Sequence, residues 1–183
     1  MTRAALLALA LAAGCAHPPP RAPSAEVRAE VAAAETAERA RRHDQARAHY
    51  QRAVARAGDA PSLAFARREY ADTLISWGEL PEAIAQLEGV VVSAPHDAAT
   101  WHDLGILRHH RGDDLRAITA LERARTLSPA DPRPRIALAA LRWKRGDRVG
   151  ARAEYTALLE LDLPERVRGK VTWALGALVR PAH

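Results

Sequence analysis

The sequence predicts an all-α solenoid of three to four stacked helical hairpins closed by a C-terminal capping helix. Three observations predict it: self-similarity at a period of 34 residues, an apolar set dominated by Ala and Leu, and glycine and proline recurring at fixed points of the later copies. Sliding the chain by 34 residues superposes Gly78, Gly112 and Gly146, then Ala83, Ala117 and Ala151, then Leu87, Leu121 and Tyr155. The same shift superposes Tyr70, Leu104 and Leu138, then Ala71, Gly105 and Ala139, and Pro95 with Pro129. A period of this length marks a repeated supersecondary unit. With 48% hydrophobic residues but only 4% aromatics, the composition favours helix over strand.

The chain starts with Arg3, an Ala and Leu run over residues 4–13, and Gly14-Cys15. That run is too short to span a bilayer, which takes about 20 apolar residues, but it has the length of a secretory signal. Leu11-Ala12-Ala13-Gly14-Cys15 resembles the lipobox of bacterial lipoproteins, with Leu one place further from the Cys than usual. The resemblance implies that residues 1–14 are a signal peptide and that Cys15, the single cysteine, is acylated. Residues 15–25 follow as a tether, because the prolines of Ala16-His17-Pro18-Pro19-Pro20 favour an extended spacer. Ala16 after the Cys implies, by the same resemblance, an outer-membrane, periplasm-facing location over retention at the inner membrane.

Residues 26–168 hold the repeats, at about 27–60, 64–97, 98–131 and 132–165. In the third copy, Trp101, Leu104, Gly105 and Arg108 share one face of a first helix. Gly112 ends that helix, because glycine accepts the left-handed C-cap at little cost. Asp113 or Asp114 caps the second helix, where neighbouring copies offer Glu79 with Pro81, and Asp147. Ala117, Leu121 and Ala124 line the second helix and Pro129 stops it. At Gly105 against Ala117 a larger side chain would hold the two backbones apart. The first copy keeps only its second helix well, at Ala46, Tyr50 and Ala53, displaced by three extra residues around 59–62. Residues 169–183, with Trp173, Leu175 and Gly176, form the capping helix and tail. One hairpin cannot bury its apolar stripe alone, so the copies stack.

Trp101-His102-Asp103-Leu104-Gly105, continuing to Gly112, Ala117, Ala124 and Pro129, resembles the tetratricopeptide repeat family. The resemblance covers residues 27–165, although Arg67 and Arg135 stand where the third copy has Trp101. It implies a right-handed superhelix and function through protein recognition, in a groove lined by the first helix of each repeat. The residues opposite the packing stripe are Arg68, Asp72, Ile75 and Ser76 in the second copy. In the third they are His102, Ile106, His109 and His110, and in the fourth Ile136, Ala140, Trp143 and Lys144. This mixed apolar and basic surface is expected to take an acidic or carboxylate-ended segment, with Arg68, Arg133 and Lys144 supplying charge and Ile75, Ile106 and Trp143 contact area.

No phosphate loop, dinucleotide fingerprint, zinc-protease motif or nucleophile elbow occurs, so no enzymatic activity and no cofactor are expected. His102 lies two helical turns from His109 and His110, unlike zinc ligands one turn apart, so no metal site is expected. Lys plus Arg total 27 against 22 acids, a net charge of +5, but the Arg residues alternate with Glu and Asp along helical faces. A solvated surface, with no nucleic acid as partner, accounts for that pattern. The expected function is therefore a membrane-anchored scaffold or assembly factor for an envelope machine of the pilus, secretion, motility or outer-membrane-assembly kind. The alternatives are a regulator of a cell-wall enzyme and, in another class, a metal or small-ligand carrier.

Overall fold

The computed structural model describes residues 22–179, which form nine α-helices and no strand. They pair as α1 (Ala25–Arg39) with α2 (His43–Arg56), α3 (Ala60–Ser76) with α4 (Leu80–Ser93), α5 (Ala98–His110) with α6 (Asp114–Leu127), and α7 (Pro132–Lys144) with α8 (Arg148–Leu159). A ninth helix, α9 (Glu165–Val179), packs on α8. Each hairpin also packs on the next, and α1 touches α3 as α5 touches α7, which is the stacking of a solenoid. There are four hairpins, because α1 is a complete helix whose Val27, Val31 and Ala34 are buried, although it carries little of the repeat pattern. Cys15 and the signal segment lie outside the described residues. No described helix is long and apolar enough to cross a membrane.

Local chemistry explains the boundaries. Ser24, Asp59, Asp97, Asp113, Asp131 and Asp147 each precede a helix and accept a hydrogen bond from a backbone N–H of its first turn. Asp113, not Asp114, caps α6, whereas Glu79 makes no side-chain cap to α4. Between paired helices Gly78, Gly112 and Gly146 adopt φ of 79°, 80° and 83°, in equally open surroundings. After Gly112 the chain closes a Schellman turn: Gly112 N–H donates to His109 O at 2.9 Å and Asp113 N–H to Arg108 O at 2.9 Å. The first hairpin makes the same turn with Arg41 at φ 58°, its N–H on Glu38 O at 2.7 Å and that of Arg42 on Ala37 O at 2.9 Å.

Small residues let the paired helices approach. A Cβ on Gly105 would lie 2.5 Å from Leu121 Cγ and 3.2 Å from Ala117 O, so this contact admits hydrogen alone. Where Trp101 is replaced, arginine spans the same interhelical space. Arg67 lies over Gly89, leaving no room there for a methyl group. Arg135 instead reaches Glu154 at 3.1 Å. Glu154 is buried and also receives Arg125 and, at 2.9 Å, Arg142, so one carboxylate ties α6, α7 and α8 together.

Candidate protein-binding groove

The first helices of the hairpins, α1, α3, α5 and α7, together with α9, line one side of the solenoid. Side chains one and two turns along each helix form rows across it. Arg68, His102 and Ile136 form one row, Glu69, Asp103 and Ala137 the next, and Asp72, Ile106 and Ala140 the third. Ile75, His109 and Trp143 follow, then Ser76, His110 and Lys144.

The structure brings the predicted groove residues onto this side but gives several of them internal partners. Arg68 binds the α5 cap residue Asp97 and donates to Thr100 Oγ1 at 2.7 Å. Arg133 holds the α7 cap residue Asp131, with its Nη2 at 2.7 Å, and this pairing keeps the Asp131 carboxyl below its ordinary value. His102 Nδ1 lies 3.1 Å from Asp103, and His109 Nδ1 lies 2.7 Å from Asp114, which is held low by that histidine. Ser76 donates to its own helix at Thr73 O, 2.7 Å away, and lies 3.4 Å from Glu38. Asp72, Ala140, Lys144 and His110 are exposed, while Ile75, Ile106, Ile136 and Trp143 are half-buried.

The expectation of a basic surface is corrected by this arrangement. Two of the three cations meant to supply charge, Arg68 and Arg133, are already neutralised by the aspartates that cap the next or the same helix. Carboxylates dominate the α1–α5 part instead. Glu69 is half-buried, and neither it nor Asp72 accepts a hydrogen bond or ion pair from a described residue. Burial pushes the Glu69 carboxyl up, helped by the neighbouring charges of Asp72 and Glu35. Burial, then the charge of Asp103, pushes Asp72 up in the same way, against the opposing pull of Arg68.

At the other end, α7, α8 and α9 enclose an apolar cleft of about 550 Å³ lined by Ile136, Trp143, Tyr155, Val171 and Trp173, with Lys170 at its edge. The Trp143 ring meets Tyr155 edge-on at 6.3 Å and Trp173 at 6.5 Å. Trp173 is 71% exposed, so α9 covers the last hairpin with Val171, Ala174 and Leu178 while presenting an indole to the cleft. A smaller recess beside it is lined by Ile106, His109, Ala140 and Lys144.

Sequence reasoning missed Glu69, Asp103, Lys170 and Trp173. The first two directly follow Arg68 and His102, and widening the groove face by one residue per helix would have found them. The last two sit on a helix read only as a cap.

No family model matches the chain. A TPR repeat-containing protein of Pseudomonas aeruginosa is 39% identical over 101 residues, which make up 55% of this chain and 40% of that protein. The chain thus spans well under half the length of that relative. Among solved structures, the crystal structure of MamA superposes with a TM-score of 0.69 at 17% identity, over 84% of this chain and 80% of that one. The first TPR domain of Spaghetti (RPAP3), bound to the HSP90 peptide SRMEEVD, superposes with a TM-score of 0.55 at 17% identity, over 64% of this chain and 96% of that one. The nine described helices therefore follow the tetratricopeptide path, and one structure of similar fold is bound to a peptide.

Proposed function

We propose that the chain is a tetratricopeptide-repeat protein and that it is a non-catalytic scaffold of the bacterial cell envelope. In this reading it is held to the outer membrane through an acylated Cys15 and captures a partner protein in its groove, serving assembly of a pilus, secretion, motility or outer-membrane machine. One observation carries the binding half: the groove presents side chains that internal packing does not use. Trp173 stands 71% exposed above an open apolar cleft, and no described residue sets a counter-charge in contact with the half-buried Glu69. Exposed aromatic clefts of this kind mark recognition sites. A structure of similar fold bound to a peptide supports recognition of a protein segment as this fold's use here. The anchoring half is supported by Leu11-Ala12-Ala13-Gly14-Cys15 and the proline spacer after it.

Two experiments test the halves separately. Cys15→Ser should abolish labelling by radioactive palmitate and move the protein from the membrane fraction to the soluble one; undiminished labelling removes the anchor. A photo-crosslinking amino acid at Ala140, on the groove floor, should capture a discrete envelope protein in intact cells, whereas the same group at the exposed Leu115 of α6 should not. Equal capture from both positions, or none from Ala140, rejects the groove as the functional surface.

A further inference from the structure

The groove is polarised along its length. On α1, α3 and α5 it carries Glu35, Glu69, Asp72 and Asp103, of which Glu69 and Asp72 have no cation in contact among the described residues. Arg68 acts on both from a distance while bonded to Asp97 and Thr100. On α7 and α9 the groove becomes an apolar cleft floored by Tyr155, walled by Ile136, Trp143 and Trp173, and flanked by Lys144 and Lys170. A half-buried carboxylate with a like charge beside it, as Glu69 has in Asp72, and an indole held open to water each cost free energy in the unbound protein. A ligand with cations at one end and an apolar anchor at the other relieves both costs together.

We infer that the groove's occupant is one extended, charge-polarised protein segment. Its Lys or Arg side chains face Glu69, Asp72 and Asp103, an aromatic or long aliphatic side chain fills the α7–α9 cleft, and a carboxylate beside that anchor faces Lys144 and Lys170. The inference rests on the reading that the groove binds protein. Neighbouring helices lie about 10 Å apart, so the α3 carboxylates and the cleft are separated by about 20–25 Å, which about seven extended residues span. A segment acidic throughout, or one recognised only by its terminal carboxylate, fits worse, because its remaining length meets like charge on α3 and α5. Charge complementarity also sets direction: the reversed sequence would place its cations beside Lys144 and Lys170 and its anchor against Asp72.

The test pans a random dodecapeptide display library against the full-length protein and then measures synthetic copies of the enriched sequences by fluorescence anisotropy. Enriched peptides should carry Lys or Arg separated by about five to eight residues from an aromatic residue with a nearby acid. Their affinity should fall about tenfold on the double substitution Glu69→Gln with Asp72→Asn, and about tenfold on Trp173→Ala. Trp173→Ala should retain the thermal melt of the parent and the double substitution should not lower it, since neither site belongs to the core. Enrichment of acidic or carboxylate-ended peptides that ignore the double substitution yet lose affinity on Trp173→Ala overturns the charge assignment and leaves the groove standing. Absence of enrichment, or binding indifferent to every groove variant, overturns the groove reading and this inference with it.

Discussion

On α3, α5 and α7 the side turned to the paired helix and the side turned to the groove obey different rules. The packed side repeats: Tyr70, Leu104 and Leu138 occupy one position and are at most 1% exposed, and Ala71, Gly105 and Ala139 fill the next. The groove side does not repeat: Glu69, Asp103 and Ala137 share a row, as do Asp72, Ile106 and Ala140. Every packed position meets the same neighbour in every hairpin, so the same size and shape recur. Groove positions meet no such neighbour, and the charges there are held at some cost. The contrast separates residues kept for folding from residues available for recognition.

The comparison breaks first if packed and groove positions prove equally sensitive. Leu104→Ala should lower the unfolding free energy by about 3 kcal/mol in urea titrations, whereas Asp103→Ala, its groove-side neighbour, should stay within about 0.5 kcal/mol. Similar losses at the two would erase the distinction. Gly112→Ala tests the turn between them and should cost about 1–2 kcal/mol, because a side chain at φ 80° crowds its own backbone. Arg41→Gly is the converse, and should stabilise the first hairpin by up to about 1 kcal/mol, since that arginine bears the same strain at φ 58°. A matching gain in Tm would show that the first copy turns as the others do.

The smallest effect concerns the groove alone. Because folding raises the Glu69 and Asp72 carboxyls above their ordinary range, the native state resists their ionisation. Their penalty is absent at low pH, where both are neutral whether folded or not, and it grows as pH rises through their unfolded values and saturates above their folded ones. Glu69→Gln with Asp72→Asn should therefore raise Tm slightly at pH 7 and leave it unchanged at pH 3. A fall in Tm at pH 7 would mean that these carboxylates support the fold, and the contrast between the two sides would lose its sharpest instance.

The helical hairpins were legible because their signals are local or periodic. Glycine at Gly78, Gly112 and Gly146 announces a left-handed turn, a preceding Asp announces a helix start, and the small residue at Gly105 announces a close approach, which the structure places against Leu121 and Ala117. The first hairpin was half legible: Arg41 performs the glycine's role, so its turn has no signature in the residue type. Of the groove, the positions on each helix were readable from helical arithmetic, but their electrical character was not. Arg68 and Arg133 look like free cations in the sequence, and both are bound to cap aspartates. Asp97 is distant in sequence from Arg68, and only stacking brings them together.

By itself the sequence determined an all-α solenoid, its repeat length, the turn between paired helices and the sides each helix buries, because those follow from spacing along one helix and from backbone conformations that few residues tolerate. Only the tertiary structure decided which groove charges are spent internally, where the carboxylates lie unpaired, and that α9 turns Trp173 to a cleft shared with Trp143 and Tyr155. Those outcomes depend on distances between helices, and charge, unlike size, acts on whatever the fold brings near.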